Sequence, residues 1–454
     1  MARPFYDKLE WTIVIATLLL AGISLLTIHS ISSTSNDPRS LVLKQAGWFA
    51  IGFFLIALVT SIDYHLLSAL AYPFYATVAA LLAAVLLFGQ KIMGAVRWIK
   101  IGPLTLQPSE LAKIALILAL AKYFSGKRKE SIFLSDLIIS GGFLGVLVVL
   151  ILKEPDLGMS ILLFPIFFAT VFVAGIDLKP LLRILFFRPV LIIIVAGLIF
   201  TSFFRLPLDN YWKLTDRSVE QLRVENVPQK VLEGLQKLQN KEYTDKEKFL
   251  TDLEKNIGSE HLAAFQKSIL SHTVPRFRLI TFPAMFVWLN LKEYQRTRIL
   301  SFIDPSRDPL GSGYHVTQSQ IAIGSGGLWG KGYKNGTQSQ LKFLPEQYTD
   351  FIFSVFSEEW GFAGSSVLLC IYMVLVLKGL NIASRAKDKL GRLIATGVVT
   401  VLVVHMFVNV GVTTGIMPVT GLTLPLMSYG GSSIFSTSIA LGLLLNVSYR
   451  RFDF

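Results

Sequence analysis

Asp350 stands where a polar, glycine-dense segment gives way to an apolar run. A carboxylate so placed can cap the helix that follows or take a proton from a bound hydroxyl. Ser354, Ser357 and Glu358 continue its face at helical spacing, with Glu359 beside it, so acidic groups reach about two turns into an otherwise apolar stretch. Upstream, Arg97, Trp98, Lys100 and Gln107 lead to Glu110 and Lys113, three residues apart on one helical face. That pair either locks helix packing as an intramembrane ion pair or touches a ligand. Trp98 suits an interfacial anchor as well as a ligand contact. In the turn KEPDLG, Lys153 to Gly158, Asp156 either caps the next helix or faces a cavity. His405 and Asn409 share a face at i, i+4, and with no third ligand type beside them they read as an interhelical hydrogen bond rather than a metal site.

The segment Asp304–Asp350 holds eight glycines between Gly311 and Gly336, whose N–H groups can approach an anion, with Lys331, Lys334 and Lys342 nearby. Neither GxxxxGK[ST] nor GxGxxG occurs in the contexts that bind nucleotides. A compact surface loop with many turns is the plain alternative.

The elements that must position these residues are membrane helices. The 454 residues are 52% hydrophobic and 16% charged, and the mean hydropathy is +0.56, outside the range of soluble domains. The net charge of +13 fits basic cytoplasmic loops rather than nucleic acid, because no basic, aromatic-studded soluble domain is visible. One cysteine, Cys370, excludes an intrachain disulfide and a cysteine metal cluster.

A hydrocarbon core about 30 Å thick asks for roughly 17 to 25 apolar residues per helix. Ten runs qualify: Trp11–Ile31, Leu41–Thr60, Leu70–Phe88, Pro108–Phe124, Leu137–Leu152, Met159–Ile176, Leu182–Phe204, Phe351–Leu377, Leu393–Met417 and Gly431–Val447. The first is too long for a signal-peptide core and has no small-residue cleavage site, so it reads as a retained helix. With the termini cytoplasmic, the short inner connections carry 16 basic residues against five outside, which sets the orientation. The expected fold is an all-α polytopic membrane protein with a large external region between spans seven and eight. Residues 1–204 hold spans one to seven, 205–275 a soluble helical insertion with 11 basic and 11 acidic residues, 276–350 an external, partly re-entrant loop, and 351–454 spans eight to ten. No repeat of fixed period marks a solenoid or an inverted-repeat transporter.

The motifs RWIKIGPLTLQPSELAK, KEPDLG, YHVTQSQIAIGSGGLWGKGYKNGTQSQLKFLPEQYTDFIFSVFSEEWGFAG and GLTLPLMSYGGSS, in this order, resemble the SEDS proteins (shape, elongation, division and sporulation) of bacterial cell-wall synthesis. GTQSQLKFLPE is more similar to the elongation members than to the division members. The resemblance covers nearly the whole chain except Arg205–Pro275. It implies a ten-helix peptidoglycan glycosyltransferase of the bacterial cytoplasmic membrane. Such an enzyme polymerises lipid II on the outer face during cell elongation, beside a class B penicillin-binding protein as transpeptidase partner. The family's catalytic acid falls on Asp350, although its usual His-Thr-Asp is here Tyr348-Thr349-Asp350.

That chemistry needs a base for a sugar hydroxyl and positive charge for a departing pyrophosphate. Arg97, Lys100, Arg296, Arg298 and Lys331 are candidate phosphate contacts, and Trp98, Glu110, Lys113 and Asp156 complete the expected substrate-binding set. A divalent cation, Mg²⁺ or Mn²⁺, bridging the phosphates is also implied, with no organic cofactor. The rival class is a flippase for the same lipid-linked precursor, and a pure scaffold would leave Asp350 replaceable.

Overall fold

The computed structural model describes residues 10–33, 38–92, 95–101, 104–127, 134–175, 312–341 and 343–451, with Asp252, Lys255, Arg298 and Phe302 between them. The chain divides into two compact units, Met1–Ile176 with Glu293–Phe454, and Asp177–Lys292. The expected seventh span Leu182–Phe204, the insertion 205–275 and the apolar piece Leu279–Leu291 lie outside the described residues.

In the first unit the long helices are α1 (Trp11–Ser32), α2 (Pro38–Ser61), α4 (Ala71–Phe88), α5 (Pro108–Ser125), α6 (Leu134–Lys153), α7 (Leu157–Ala174), α10 (Ile352–Ser384), α11 (Lys389–Thr413) and α12 (Gly431–Arg450). The short ones are α3 (Tyr64–Ala69), α8 (Ser312–Ser325) and α9 (Thr337–Gln340). Eight of the described helices are long and apolar enough to cross a membrane. The ninth long one, α5, coincides with the fourth expected span but includes Glu110, Lys113 and Lys122.

The ends follow local chemistry. Pro108 opens α5, where its missing N–H costs nothing. The carboxylates of Asp63, Asp156 and Asp388 cap α3, α7 and α11 by accepting backbone N–H bonds from His65, Met159 and Gly391. Gly175 closes α7 in the left-handed region at φ 101°. Helix α5 is the bundle's centre: most of its surface is buried, against α4, α7 and α11. By contrast α1, α2, α4 and α6 keep large apolar residues on the outside, including Leu19, Phe54, Leu87 and Ile138. An apolar exterior around a partly polar interior is the arrangement a bilayer favours.

Two features depart from a plain helical bundle. Between α4 and α5 the chain forms a three-stranded antiparallel sheet in order β1 (Gln90–Ile92), β2 (Ala95–Ile101), β3 (Leu104–Leu106). Its register pairs Gln90 with Trp98 and Lys100 with Thr105. A run of only seven alternating residues within a loop is a weak sequence signal.

Helix α10 is also broken at Gly361, whose φ of 66° and ψ of −165° interrupt the ladder. The polar segment before it supplies the missing bonds. Lys331 and Gly332 donate N–H bonds to the carbonyls of Glu358 and Glu359, both at 3.0 Å. Phe362 and Ala363 donate in turn to the carbonyls of Gly327 and Leu328 at 2.9 and 3.0 Å. A Cβ at Gly330 or Gly361 would collide with the opposing backbone, so only glycine permits this approach.

Candidate active site

Asp350 lies in the turn just ahead of α10, and the helix N-cap is Phe351, with no side-chain cap bond. Capping therefore does not account for its carboxylate. The turn is held from behind. Asn409 on α11 donates both amide protons, one to the carbonyl of Asp350 at 2.9 Å and one to that of Leu422 at 2.8 Å. Ser428 Oγ donates to the carbonyl of Thr349 at 2.6 Å and accepts the N–H of Leu424 at 2.8 Å. Tyr429 N–H reaches the carbonyl of Tyr348 at 2.8 Å. The connection from Thr414 to Gly430 thus acts as a brace under Tyr348–Asp350. A Cβ built on Gly421 would stand 3.7 Å from Asp350 Oδ2, so that brace also flanks the carboxylate itself.

Asp350 is half-buried. Burial first, and the nearby Glu346 charge second, push its pKa up to about 6, while Arg298 opposes the shift. Asp156 adds a smaller push in the same direction. Asp156 both caps α7 and faces this cluster: its Oδ1 accepts Met159 N–H at 3.2 Å, and its Oδ2 accepts Gln107 Nε2 at 3.0 Å and Ser109 Oγ at 3.5 Å. Arg97 stands 3.9 Å from Asp156. Its guanidinium donates to the carbonyls of Glu154, at 3.2 Å, and Pro155. Burial raises the pKa of Asp156, against the pull of Arg97.

Beside it Glu154 is fully buried and neither of its carboxylate oxygens has a hydrogen-bond partner. Burial, reinforced by Asp156, pushes its pKa up to about 8, so it is largely a neutral acid at pH 7.

Arg97, Asp156, Arg298 and Asp350 therefore come together from four separate parts of the sequence. Arg298 also donates to the carbonyl of Val419 at 3.2 Å, which ties it to the brace. Trp98 and Lys100 sit on β2 next to Arg97; the side chain of Lys100 lies outside the described residues, as does Arg296 altogether.

Lys331 belongs elsewhere. Its ammonium is 2.7 Å from Glu358 Oε1, which also accepts Thr337 Oγ1 at 3.1 Å and Gln338 N–H at 3.0 Å. Glu359 is bound by Ser30 of α1. These two acids fasten the glycine-rich segment to α10 and α1.

Glu110 and Lys113 are an ion pair at 2.5 Å inside the bundle, with Lys113 fully buried. Ser436 Oγ donates to Glu110 at 2.8 Å, and Lys113 Nζ meets His405 Nε2 at 3.2 Å. His405 Nδ1 lies 3.0 Å from the carbonyl of Thr423, which can only accept, so Nδ1 carries the proton and Nε2 accepts from Lys113. His405 thus makes the expected interhelical bond, to Lys113 of α5, whereas Asn409 bonds to carbonyls of the turn and the connection; both residues reach the brace under Asp350. The pattern of the sequence pointed to Asp350, Arg97, Asp156 and the Glu110/Lys113 pair. It gave no role to Glu154, Glu346 or the Asn409 clamp.

Residues 10–218 and 262–452 match the FtsW/RodA/SpoVE family of cell cycle proteins. The chain belongs to that family. The stretch left unmatched, 219–261, falls within the segment 205–275 expected as an insertion. Among its SEDS relatives, the peptidoglycan glycosyltransferase RodA of Treponema pallidum is 35% identical, over 97% of this chain and 98% of the relative. The peptidoglycan glycosyltransferase MrdB of Escherichia coli is 31% identical over 99% and 96%. A solved structure of a peptidoglycan synthase complex described as coordinating polymerization and crosslinking contains a chain that superposes at a TM-score of 0.64, with 29% identity over 98% of this chain and 99% of that one.

Proposed function

We propose that this SEDS protein is a peptidoglycan glycosyltransferase that polymerises lipid II, with Asp350 as general base. The single observation that carries the reading is the half-buried Asp350 carboxylate, freed from any capping role beside Arg298, on a turn whose backbone carbonyls are braced by Asn409 and Ser428. In the reaction an acceptor sugar hydroxyl attacks the anomeric carbon of the donor. A new C–O bond forms as the bond to the undecaprenyl diphosphate breaks, its electron pair leaving with the diphosphate. The hydroxyl proton passes to Asp350. A base with a pKa near 6 is ionised at neutral pH yet basic enough to help the transfer.

In this reading Arg97 and Arg298, beside Asp156 and Asp350, meet the leaving diphosphate, with Lys100 and Arg296 as further candidates. Lys331, bound to Glu358, would act on the fold of the loop instead. Among the described residues no three metal-binding side chains converge. A Mg²⁺ or Mn²⁺ ion held mainly by substrate phosphates asks for only one or two carboxylates, and Glu346, exposed beside Asp350, fits that demand. Such an ion would neutralise charge on the diphosphate.

A class B penicillin-binding protein is the partner this reading implies, in the cytoplasmic membrane with both termini inside. A flippase would need polar groups free to exchange partners through the bundle. The closed quartet of Glu110, Lys113, His405 and Ser436 favours chemistry at one face. Purified protein incubated with labelled lipid II, with and without a transpeptidase, tests this. Glycan polymer from the parent chain and none from Asp350→Asn is expected; polymer at parental yield from that variant would overturn the assignment of the base.

A further inference from the structure

At the end of the bundle opposite Asp350 lies a second polar site. Helix α10, broken at Gly361, leads away from the turn of Asp350 to Ser384, four residues before Asp388. There a cavity of about 320 Å³ opens between α3, the C-terminal end of α5 and the start of α11, lined by His65, Lys122, Ser125, Asp388 and Lys389 among others.

Its charges are unevenly committed. Asp388, the one acid in the lining, accepts Tyr64 Oη at 2.8 Å, the N–H of Gly391 at 3.0 Å, and faces His65 Nε2 at 3.0 Å. Asp63, just behind, is bound to His65 at 2.8 Å and lies 3.7 Å from Arg450. Lys127 is paired with Asp136. The two lysines of the cavity wall differ from these. Among the described residues Lys389 donates only to the backbone carbonyl of Lys127, at 2.8 Å, and Lys122 has no ion pair. The acids are saturated and the ammonium groups are not, which leaves a cavity that attracts an anion.

The surroundings narrow what kind. Next to His65 and Ser68, Leu66 on α3 and Leu70 at its C-cap present their side chains outward with more than half their surface exposed, at 64% and 62%. A cationic cavity flanked by an exposed apolar ledge matches a phosphate that carries acyl chains, and basic pockets between membrane helices are known receptors for such headgroups.

We propose that this cavity binds the phosphate of an anionic glycerophospholipid, with Lys122 and Lys389 as the phosphate contacts and Leu66 and Leu70 along the acyl chains. The site is separate from the polymerisation chemistry and stands or falls without it.

The test uses the full chain in nanodiscs of phosphatidylcholine alone or with phosphatidylglycerol, read by thermal unfolding and by lipid retained in native mass spectrometry. Phosphatidylglycerol is expected to raise the melting temperature of the parent and to be retained. The double change Lys122→Gln, Lys389→Gln should weaken that retention about tenfold or more, given what each basic contact contributes near a membrane. The single change Lys122→Gln, at a partly exposed side chain, should weaken it less and serves if the double variant does not fold. Equal retention by parent and variants would overturn the site. A rise in melting temperature with inorganic phosphate in phosphatidylcholine alone, as large as that with phosphatidylglycerol, would overturn the lipid as occupant.

Discussion

Around Glu110 the charges are closed: Glu110, Lys113, His405 and Ser436 leave no buried side-chain polar atom unpaired. Around Asp350 they are open. Glu154 keeps both carboxylate oxygens without partners, Asn409 keeps its Oδ1 unpaired, and Asp350 remains half-buried beside two further acids. Burying a charge is costly in both places. In the first the cost is offset by a matched opposite charge and further hydrogen bonds, so the group is a stabilising unit of the bundle. In the second like charges are gathered and left partly unmet, which is how active sites hold acids away from their ordinary pKa values. The contrast suggests that removing a member of the first group harms the fold, and that removing Asp350 or the groups that hold its turn harms the reaction.

The largest effect should come from breaking the closed group. Lys113→Met leaves Glu110 charged and unpaired, at a cost of about 3–5 kcal/mol in unfolding free energy. The double variant Glu110→Gln, Lys113→Met should recover much of that loss. Additive losses in a double-mutant cycle of detergent-solubilised protein would show that the two side chains act independently.

Asp350→Asn comes next and should do the reverse. It should lower polymerisation by roughly 10² or more with little change in melting temperature. A melting temperature that falls along with the rate would mean that Asp350 holds the fold and would blur the contrast.

Asn409→Ala removes two hydrogen bonds under Asp350, each worth about 1 kcal/mol net, and should cut the rate by about tenfold while substrate KM stays close to parental. A change confined to KM would place Asn409 in substrate binding.

Milder still is the effect of pH. Asp350 must be ionised to accept a proton, and burial with Glu346 holds its pKa near 6. The rate should therefore fall about fourfold between pH 7 and pH 5.5, the direction set by protonation of the base. Arg298→Gln takes away a charge that lowers that pKa, so the acid limb should move to higher pH. A limb that stays in place would separate Arg298 from Asp350.

The smallest effect is expected of Glu154→Gln. At pH 7 the acid is already largely neutral, so polymerisation should stay within about twofold of the parent. A loss comparable to that of Asn409→Ala would mean that the carboxylate, not its neutral form, is what the site uses.

Much of this contrast can be read in the sequence, and the parts that cannot share a cause. Spans such as α1 and α11 are legible because apolar length alone defines them. Glu110 and Lys113 are legible because i, i+3 on a helix is a local relation. Asn409 contacts residues 59 and 13 positions away, and its amide's partners are backbone carbonyls that carry no sequence signal. Glu154 stands in the motif KEPDLG, but its burial and the contact of Arg97 with its backbone carbonyl are decided by the fold. The sheet of β1 to β3 and the break at Gly361 are not legible for the opposite reason: a short alternating run and one glycine in a helix are too common to decide anything.

The break at Gly361 has a consequence for how the chain is made. A helix entering a bilayer with two carbonyls and two N–H groups released from its ladder would meet no water to satisfy them. Their partners, Gly327, Leu328, Lys331 and Gly332, are all encoded before α10, so they have already left the ribosome when Gly361 emerges. That glycine-rich segment can therefore be waiting at the membrane surface as the helix inserts. In the reverse order of segments, the broken helix would have to wait in lipid for its own repair.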